Sequence, residues 1–493
     1  MRGRVGIAAA IAAGLGLAIS ATAAASSATL TQISSDPYTN TTAADGVAIY
    51  HKTQEEPDTF AVGSMIVSAF QTARFKNGGA DDIGWATSTN GGKSWKHGFL
   101  PGTTTSSTPA NNTYERVSDA SVAYDARHGV WMISSIPITA AGVVPVVFVS
   151  TSTDGVHWDN PVTIAPASGP SNLDKNWTAC DNNAGSPFYG NCYTEFDNFA
   201  VFDLELLSTS SDGAKTWSAP VATPLHAHGI GGQPVVQPNG NVVVPFESID
   251  GLAKIAAFGS TDGGKTLTNA VTISAINEHN VAGNLRTSAL PTAEIDGSGT
   301  VYVAWQDCAF EAGCPANDIV ISSSSNGTTW SGLSRVPADA IGSGVDHFIP
   351  GLAVDTATSG TSAHLALTYY FYPVANCTVS TCQLDVAYIT STNGGATWSA
   401  ALQLAGPMNN TWLPLTTQGY MVGDYISTSI LGSGSALTTI AVATAGTATQ
   451  NLNEAMFAPS SPLAVSGGTT SSSQAAASAT SNLSSFVVGP LNR

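Results

Sequence analysis

The side chains of this sequence that could do chemistry together are a few arginines, several carboxylates and a group of aromatic residues. Carboxylates serve as acid–base pairs, guanidinium groups bind anions, and aromatic rings stack on sugar faces. These properties in combination are typical of sites that bind or cleave carbohydrates. The candidate residues are Arg74, Arg116, Arg286, Glu247, Asp307, Trp177, Trp305, Tyr369 and Tyr425.

A short turn motif that recurs six times indicates which elements position these residues. Each copy reads Ser, any residue, Asp or Asn, then Gly, and five of the six close with Trp. The Asp or Asn side chain can accept hydrogen bonds from backbone N–H groups, and glycine takes the positive φ angles of a tight turn. The motif therefore predicts a β-hairpin. The copies begin at Ser88, Ser152, Ser210, Ser260, Ser324 and Ser391, at intervals of 50 to 67 residues.

The sequence around each copy predicts four strands, and four antiparallel strands in a repeat of this length are typical of a propeller blade. We therefore predict an all-β fold, a β-propeller with six blades that carry the motif. Three further strands, at 423–430, 436–444 and 454–458, could join a strand at 47–50 to form a last blade from both chain ends. Seven blades are the prediction, and six are the alternative.

The predicted topology separates two faces of the propeller. The repeated turns follow third strands and lie on one face, where a structural role is expected. Loops after second strands and connections into first strands converge on the opposite rim, which is where loop-borne sites usually form. The candidate residues lie in or beside these loops and connections, so the sequence predicts a site on that rim.

The repeated turns resemble the Asp-box, or BNR, repeats of the sialidase superfamily, and the resemblance covers roughly residues 45–460. It implies a clamp of three arginines for a substrate carboxylate, a tyrosine nucleophile paired with a glutamate, and an aspartate as acid–base group. Carried onto this sequence, the implied clamp is Arg74, Arg116 and Arg286. The implied nucleophile is Tyr425 or Tyr369, with Glu247 as its base; Asp307 is the candidate acid–base group, and Trp177 and Trp305 are candidate substrate contacts.

Three functions fit this resemblance. The first is a glycoside hydrolase that acts on extracellular glycans, including anionic ones, in the manner of an exo-α-sialidase. The second is a non-catalytic propeller that binds glycan or protein. The third is a polysaccharide lyase, in which Tyr or His acts as base and Arg neutralises a uronate.

The N-terminal residues predict export. Arg2 and Arg4 precede an apolar run over 5–19 and a small-residue cleavage site at 21–23, which together describe a signal peptide over residues 1–23. The remaining organisation is predicted as a flexible segment over 24–44, a propeller over 45–460 and a Ser/Thr/Ala-rich tail over 461–493. No later segment is apolar enough to cross a membrane, so a secreted, extracellular protein is expected.

Cysteine count and charge complete the expectations. Six cysteines fall into three local couples that predict disulfides in an exported protein: Cys180 with Cys192, Cys308 with Cys314, and Cys377 with Cys382. The net charge of −18 argues against nucleic-acid binding, and a monomer is expected. No cofactor is expected, apart from Ca²⁺ bound by the oxygens of Asp181, Asp197 and Asp307 as a weaker alternative.

Overall fold

The computed structural model describes residues 28–164, 169–447 and 451–474. The predicted signal peptide and residues 475–493 of the predicted tail lie outside the described residues. The described chain is all-β, as predicted, with three single-turn 3-10 helices at Phe199–Val201, Gly360–Ser362 and Asn410–Trp412. No helix among these residues has the length and apolar character needed to cross a membrane.

Most of the strands lie in six antiparallel sheets of four or more strands. The largest has eight strands, and because one residue pair, Ala80 opposite Val117, joins its two halves, we divide it there and number the resulting seven units as sheets I to VII in chain order. Sheet I contains Ile49–Val62, Met65–Phe75, Ala80–Ser88 and Lys96–Phe99, and sheet II contains Arg116–Asp125, Val130–Ile138, Val147–Ser152 and Val162–Ile164. Sheet III contains Leu173–Cys180, Cys192–Asn198, Leu204–Ser210 and Val221–Ala222. Sheet IV contains Gly229–Ile230 with Val235–Val236 as a split first strand, then Val242–Ser248, Lys254–Ser260 and Val271–Ala275.

The remaining sheets follow the same plan. Sheet V contains Thr292–Ile295, Val301–Asp307, Asp318–Ser324 and Ser334–Arg335, and sheet VI contains Asp346–Val354, Leu365–Tyr372, Gln383–Ser391 and Leu402–Asn409. Sheet VII contains Ser427–Ile430, Ala436–Ala443, Glu454–Pro459 and Leu30–Gln32. A two-stranded hairpin, Leu415–Thr416 with Gly419–Tyr420, lies in the connection between sheets VI and VII.

The first strands of the sheets contact one another in chain order, and the first strand of sheet VII returns to contact that of sheet I. Apolar side chains fill the spaces between neighbouring sheets. Between sheets III and IV, for example, Tyr193 and Leu207 pack with Val244 and Phe246, all fully buried. Each sheet thus buries apolar side chains against its neighbours.

Sheet VII is built from both chain ends, as predicted, but with a different N-terminal strand. Leu30–Gln32 pairs with Glu454–Pro459, so that Leu30 lies opposite Pro459 and Gln32 opposite Phe457. The predicted strand at 47–50 belongs instead to sheet I, where Ile49 lies opposite Phe75. Within the segment expected to be flexible, residues 30–32 form this strand, and Ile33 is buried in the core.

The described part of the predicted tail also differs from the loose segment expected over 461–493. Thr470–Ser471 pairs with Thr397–Trp398 beside sheet VI, and Ser473–Gln474 pairs with Ser334–Arg335 at the edge of sheet V. The outer strands there would otherwise leave backbone N–H and C=O groups unpaired. The tail is polar in sequence but satisfies those groups with its own backbone.

The six repeated turns lie where the sequence places them, each directly after a third strand that ends at the motif serine. In the first, Ser88 Oγ donates to Asn90 Oδ1 (3.0 Å) and accepts from the Gly92 N–H (2.8 Å), while Asn90 Oδ1 accepts from the Ser94 N–H (3.0 Å). The same pattern recurs at 152–157, 210–216, 260–266, 324–329 and 391–397. A short polar side chain thus satisfies the turn backbone in every copy.

The three local disulfides are confirmed: Cys180–Cys192, Cys308–Cys314 and Cys377–Cys382. Each closes a loop of a dozen residues or fewer between neighbouring segments. Short loops constrain the unfolded chain less than long ones. These bonds therefore fix loop shape and are not the main source of stability.

Ser391→Ala should destabilise the protein by about 1–3 kcal/mol, because the buried Gly395 N–H would lose its acceptor. Denaturant unfolding measures this change. Thr361→Ala, in an exposed turn, is the control and should leave stability unchanged within about 0.5 kcal/mol. Equal stabilities of the two variants would show that the motif serine is dispensable.

Candidate functional site

Four of the first strands are interrupted by a bulge in which a non-glycine residue has a left-handed backbone. The φ angles are 53° at Glu56, 54° at Asp119, 50° at Lys175 and 50° at Ile349. Pairing registers shift at the same places. Such a conformation costs an L-residue about 1–2 kcal/mol, and bulges re-aim side chains beside functional sites. Three of these four residues are charged, and they meet.

Lys175 is the centre of what we call the axial cluster, formed by Glu56, Asp119, Lys175, Arg286 and Asp424. Its Nζ lies 2.6 Å from Asp424 Oδ2, 3.2 Å from Asp119 Oδ2 and 3.7 Å from Glu56 Oε1. The Arg286 Nη2 donates to the same Asp424 oxygen. The cluster therefore joins sheets I, II, III and VII to the connection that enters sheet V.

Electrostatics keep Lys175 and Asp424 of this cluster charged although they are buried. Burial alone would lower the pKa of Lys175, but Asp119, Asp424 and Glu56 raise it above its ordinary value. Burial would likewise raise the pKa of Asp424, but Arg286 and Lys175 hold it well below its usual range. Burial raises the pKa of Glu56 to about 8. Glu56 is thus the member that can exchange a proton near neutral pH.

Tyr425 and Trp177 lie directly beside the axial cluster. Their rings meet edge to face at 5.2 Å, and Lys175 Nζ lies 5.7 Å from the Tyr425 ring centroid. The Tyr425 hydroxyl donates to the Ala120 carbonyl at 3.3 Å. Burial and the charges of Glu56 and Asp119 raise the pKa of Tyr425 well above its ordinary value. The phenol is therefore neutral and would need a base in order to react.

Arg286 reaches the axial cluster from a long connection over 276–291. The Arg286 N–H donates to the Tyr420 carbonyl at 2.7 Å, and its Nη1 donates to Gln418 Oε1, both in the hairpin before sheet VII. Tyr50 of sheet I in turn donates to the Leu415 carbonyl at 3.0 Å. The hairpin thus holds the guanidinium in place, and Tyr50 of sheet I in turn holds the hairpin.

The three predicted clamp arginines do not converge. Arg74 donates to Gln71 Oε1 at 2.6 Å, and Gln71 donates to Glu56, so Arg74 touches the axial cluster through one intermediate. Arg116 points elsewhere: its Nη2 lies 2.6 Å from Asp45 Oδ2, and its guanidinium lies over the Phe75 ring at 4.8 Å. Of these three arginines, Arg286 is the one that belongs to the axial cluster, through its contact with Asp424.

A second group, which we call the rim cluster, lies on sheets IV to VI and consists of Glu247, Glu278, His279, Asp307 and Asp346. His279 Nδ1 lies 3.1 Å from Asp346 Oδ2. Partial burial of its carboxyl group and the charge of Glu247 raise the pKa of Glu278 to about 8. The rim cluster therefore contains an oriented imidazole and a carboxyl group whose pKa is raised.

Asn317 fixes the imidazole of His279 relative to Asp346. Its side-chain oxygen accepts from the His279 N–H at 2.7 Å, and its Nδ2 donates to the His279 carbonyl at 2.8 Å. The Asn317 N–H donates to Asp346 Oδ1 at 2.8 Å. Asn317 thus holds the His279 backbone with its side chain and the Asp346 carboxylate with its backbone N–H.

The other predicted site residues lie away from the axial cluster. Trp305 is fully buried in the core between sheets IV and V, and Tyr369 is buried against His347 between sheets V and VI. Asp307 accepts from the backbone N–H groups of Asn277 and Ala309 at 3.0 and 2.7 Å, so it fastens two loops. Of the predicted set, the structure thus brings together Arg286, Trp177 and Tyr425, and separately Glu247 and Asp307.

Glu56, Asp119, Glu278 and His279 were not among the residues predicted from sequence. One sequence signal could have indicated the first. Pro57 directly follows Glu56, and Pro350 directly follows Ile349 at the equivalent bulge. Proline inside a strand marks an edge or a bulge, because it cannot donate to the ladder. No comparable signal marks His279, which lies in an irregular connection.

The oxygens proposed for Ca²⁺ do not form a common site. Asp181 accepts from Ser186 in a turn of sheet III, whereas Asp307 fastens loops at sheet V. Over the described residues, one trio, Asp318, Asp339 and His347, has metal-ligating atoms within 4.8 Å of one another. Both of its carboxylates already form ion pairs with Arg335, at 2.7 and 2.5 Å. The ion pairs with Arg335 therefore account for the closeness of these side chains.

The sequence matches no family model and none of the curated proteins. In structure, the chain is similar to a protein of unknown function from Dyadobacter fermentans, at 16% identity and a TM-score of 0.46, over 70% of this chain and 98% of that one. It is similar to an ulvan lyase from a new family of polysaccharide lyases, at 12% identity and a TM-score of 0.49, over 87% of this chain and 95% of that one. It is also similar to the Trypanosoma rangeli sialidase, at 13% identity and a TM-score of 0.43, over 71% and 58% of the respective chains.

Lys175→Met should destabilise the protein by about 3–5 kcal/mol, because it leaves buried carboxylates without their cation. Denaturant unfolding at about pH 8 measures the loss. Adding Asp119→Asn to Lys175→Met should restore part of it, and Lys93→Met, on an exposed lysine, is the control. A loss no larger than that of the control would mean that the axial cluster contributes nothing to stability.

Stability should also fall as pH rises from about 5 to about 8.5. The pKa values of Glu55, Asp82 and Glu56 are raised to about 7, 7 and 8, chiefly by burial. Their folded forms bind protons more tightly than the unfolded chain, so their contribution is complete below their ordinary pKa values and is lost as pH rises through the folded ones. Thermal unfolding across this range checks the trend, and a higher midpoint at the alkaline end would contradict it.

Proposed function

We propose that this protein is a secreted, sialidase-like β-propeller of seven blades and a glycoside hydrolase that acts on extracellular, anionic glycans. Seven four-stranded sheets whose first strands contact one another in a cycle support the architecture. Six Asp-box-like turns support the sialidase-like assignment. Three disulfides and the N-terminal sequence pattern support export.

The observation that carries the proposal is the position of the Arg286 guanidinium. Its side chain is 21% exposed, whereas that of Lys175 is 6% exposed. Arg286 is therefore the cation of the axial cluster that a ligand can reach. A guanidinium presents paired donors that match a carboxylate, so the acidic group of a sugar could take the place of Gln418 on its Nη1.

In the proposed reaction, Tyr425 is the nucleophile and Glu56 is its base, at a pH near 8 where a part of Glu56 is ionised and a part of Glu278 is still protonated. The phenolic oxygen bonds to the anomeric carbon as the bond from that carbon to the leaving-group oxygen breaks. The phenolic proton passes to Glu56, and Glu278 protonates the leaving group. Water then hydrolyses the tyrosyl intermediate. A neutral phenol suits an anionic substrate, because it approaches with less repulsion than a carboxylate. Glu56 takes the role expected of Glu247.

One observation favours a lyase as the second candidate. His279 is held by Asp346 through Nδ1, which leaves its Nε2 as the nitrogen that could remove a proton. Arg286, in the same connection, could neutralise the uronate carboxylate whose α-proton is removed. The leaving group would depart with its bonding pair, and the product would contain a new double bond instead of an added water.

Arg286→Ala should lower kcat/KM on an anionic chromogenic glycoside by about 100-fold or more, and Tyr425→Phe should reduce turnover to background. A panel that includes sialosides and uronides, assayed with purified protein, measures both. Arg127→Ala, on an exposed arginine of a turn between first and second strands, is the matched control and should leave the rate unchanged. Unchanged rates in both site variants would remove the proposed site.

The products separate the three candidate functions. A hydrolase releases reducing ends without new ultraviolet absorbance, and Tyr425→Phe stops it. A lyase produces an unsaturated uronate that absorbs in the ultraviolet, and His279→Ala stops it while Tyr425→Phe does not. Binding of an anionic glycan without either product, weakened by Arg286→Ala, would show a non-catalytic propeller.

A further inference from the structure

A cavity of about 520 Å³ lies at the centre of the ring and receives residues from the first strands of all seven sheets. Its lining includes residues from turns that follow first strands, namely 182–184, 296–297 and Thr356. Those turns are on the face that carries the six repeated turns. The cavity is therefore reached from the face opposite the rim cluster, and none of the five members of the axial cluster lines it.

Three carboxyl groups line this cavity, namely those of Asp58 in sheet I, Glu294 in sheet V and Asp296 in the turn after it. Asp296 is already held by the backbone N–H groups of Ser298, Thr300 and Gly360, so Asp58 and Glu294 are the two considered for a ligand. Asp58 Oδ2 accepts from the Val122 N–H at 2.6 Å, and its Oδ1 accepts from the Thr59 N–H at 2.7 Å. These hydrogen bonds hold the Asp58 side chain in place. Within the described ranges, no lysine or arginine forms an ion pair with the carboxyl group of Asp58 or of Glu294.

The carboxyl groups of Asp58 and Glu294 both resist ionisation. Burial raises the pKa of Asp58 to about 7. Burial, followed by the charge of Asp58, raises the pKa of Glu294 to about 8. A cation between them would relieve both effects, because it replaces lost solvation and offsets the repulsion between the two charges.

The walls of the cavity suit an organic cation better than a bare metal ion. Trp177 and Phe60 supply aromatic surface, and Val122, Leu352 and Ile426 supply alkyl surface. Aromatic faces attract ammonium groups that have lost part of their hydration. A cavity of this volume is in the range of small-molecule sites, and a single metal ion would leave most of it unfilled.

We propose that this central cavity is a second ligand site, specific for a small organic ammonium ion held between Asp58 and Glu294 and against Trp177 and Phe60. This site does not rest on the proposed function, because it opens on the other face and uses no member of the axial cluster. Trp177, which lines it, also packs on Tyr425. It gives the protein a means of binding an amine-bearing small molecule while the rim is occupied.

The test compares two ligands that differ only in charge. Choline carries a permanent positive charge, and 3,3-dimethylbutan-1-ol is its uncharged isostere. Isothermal titration of the full chain at about pH 9, where both carboxyl groups are ionised, should show binding of choline and at least about tenfold weaker binding of the alcohol.

Glu294→Gln should weaken choline binding about tenfold or more, because it removes one charge and keeps the shape of the cavity. Glu454→Gln, at a buried glutamate of sheet VII outside the cavity, is the matched control and should bind choline as the wild type does. Equal affinity for choline and its isostere, or an unchanged affinity in Glu294→Gln, would overturn the proposal. If Glu294→Gln does not fold, the comparison of the two ligands on the wild-type protein still decides it.

Discussion

The pairing of three N-terminal residues with a C-terminal strand is the constraint on which the rest of the structure depends. Leu30–Gln32 completes sheet VII, and sheet VII then lies beside sheet I. Thr59 of sheet I reaches Ser427 and Ser429 of sheet VII through hydroxyl contacts of 2.8 Å. The Asp424 N–H donates to Glu56 at 3.2 Å across the same junction. Residues more than 360 positions apart in sequence therefore become neighbours.

The axial cluster depends directly on this closure. Lys175 belongs to sheet III, but two of its three carboxylate partners come from near the chain ends: Glu56 lies in the first sheet and Asp424 in the connection that enters the last one. A ring that failed to close would leave Lys175 with Asp119 alone. Taking such charges out of water is favourable only when they are well paired, so closure of the ring and charge balance at its centre support each other. Arg286 then joins the same network from the rim, where it is partly exposed.

Local features of the fold could be predicted from sequence, and features of the interior could not. The six turns and three disulfides are predictable because the interacting residues are neighbours in the chain. Arg286, Trp177 and Tyr425 were predicted by their place in connections between sheets. Tyr369 and Trp305 were chosen for similar reasons but lie in the core, because strand residues alternate between faces and the sequence does not say which face packs inward. Glu56 and Asp119 were missed because a bulge, not strand alternation, aims them.

The bulges in the first strands carry an energetic cost. At Glu56, Asp119 and Lys175 the backbone adopts angles that glycine accepts freely. Glycine at any of these positions would remove that strain but would also remove a charge from the axial cluster, and a buried charge left without its partner costs more than the strain. The usual route to higher thermostability, in which a strained residue is replaced with glycine, is therefore closed at these three positions.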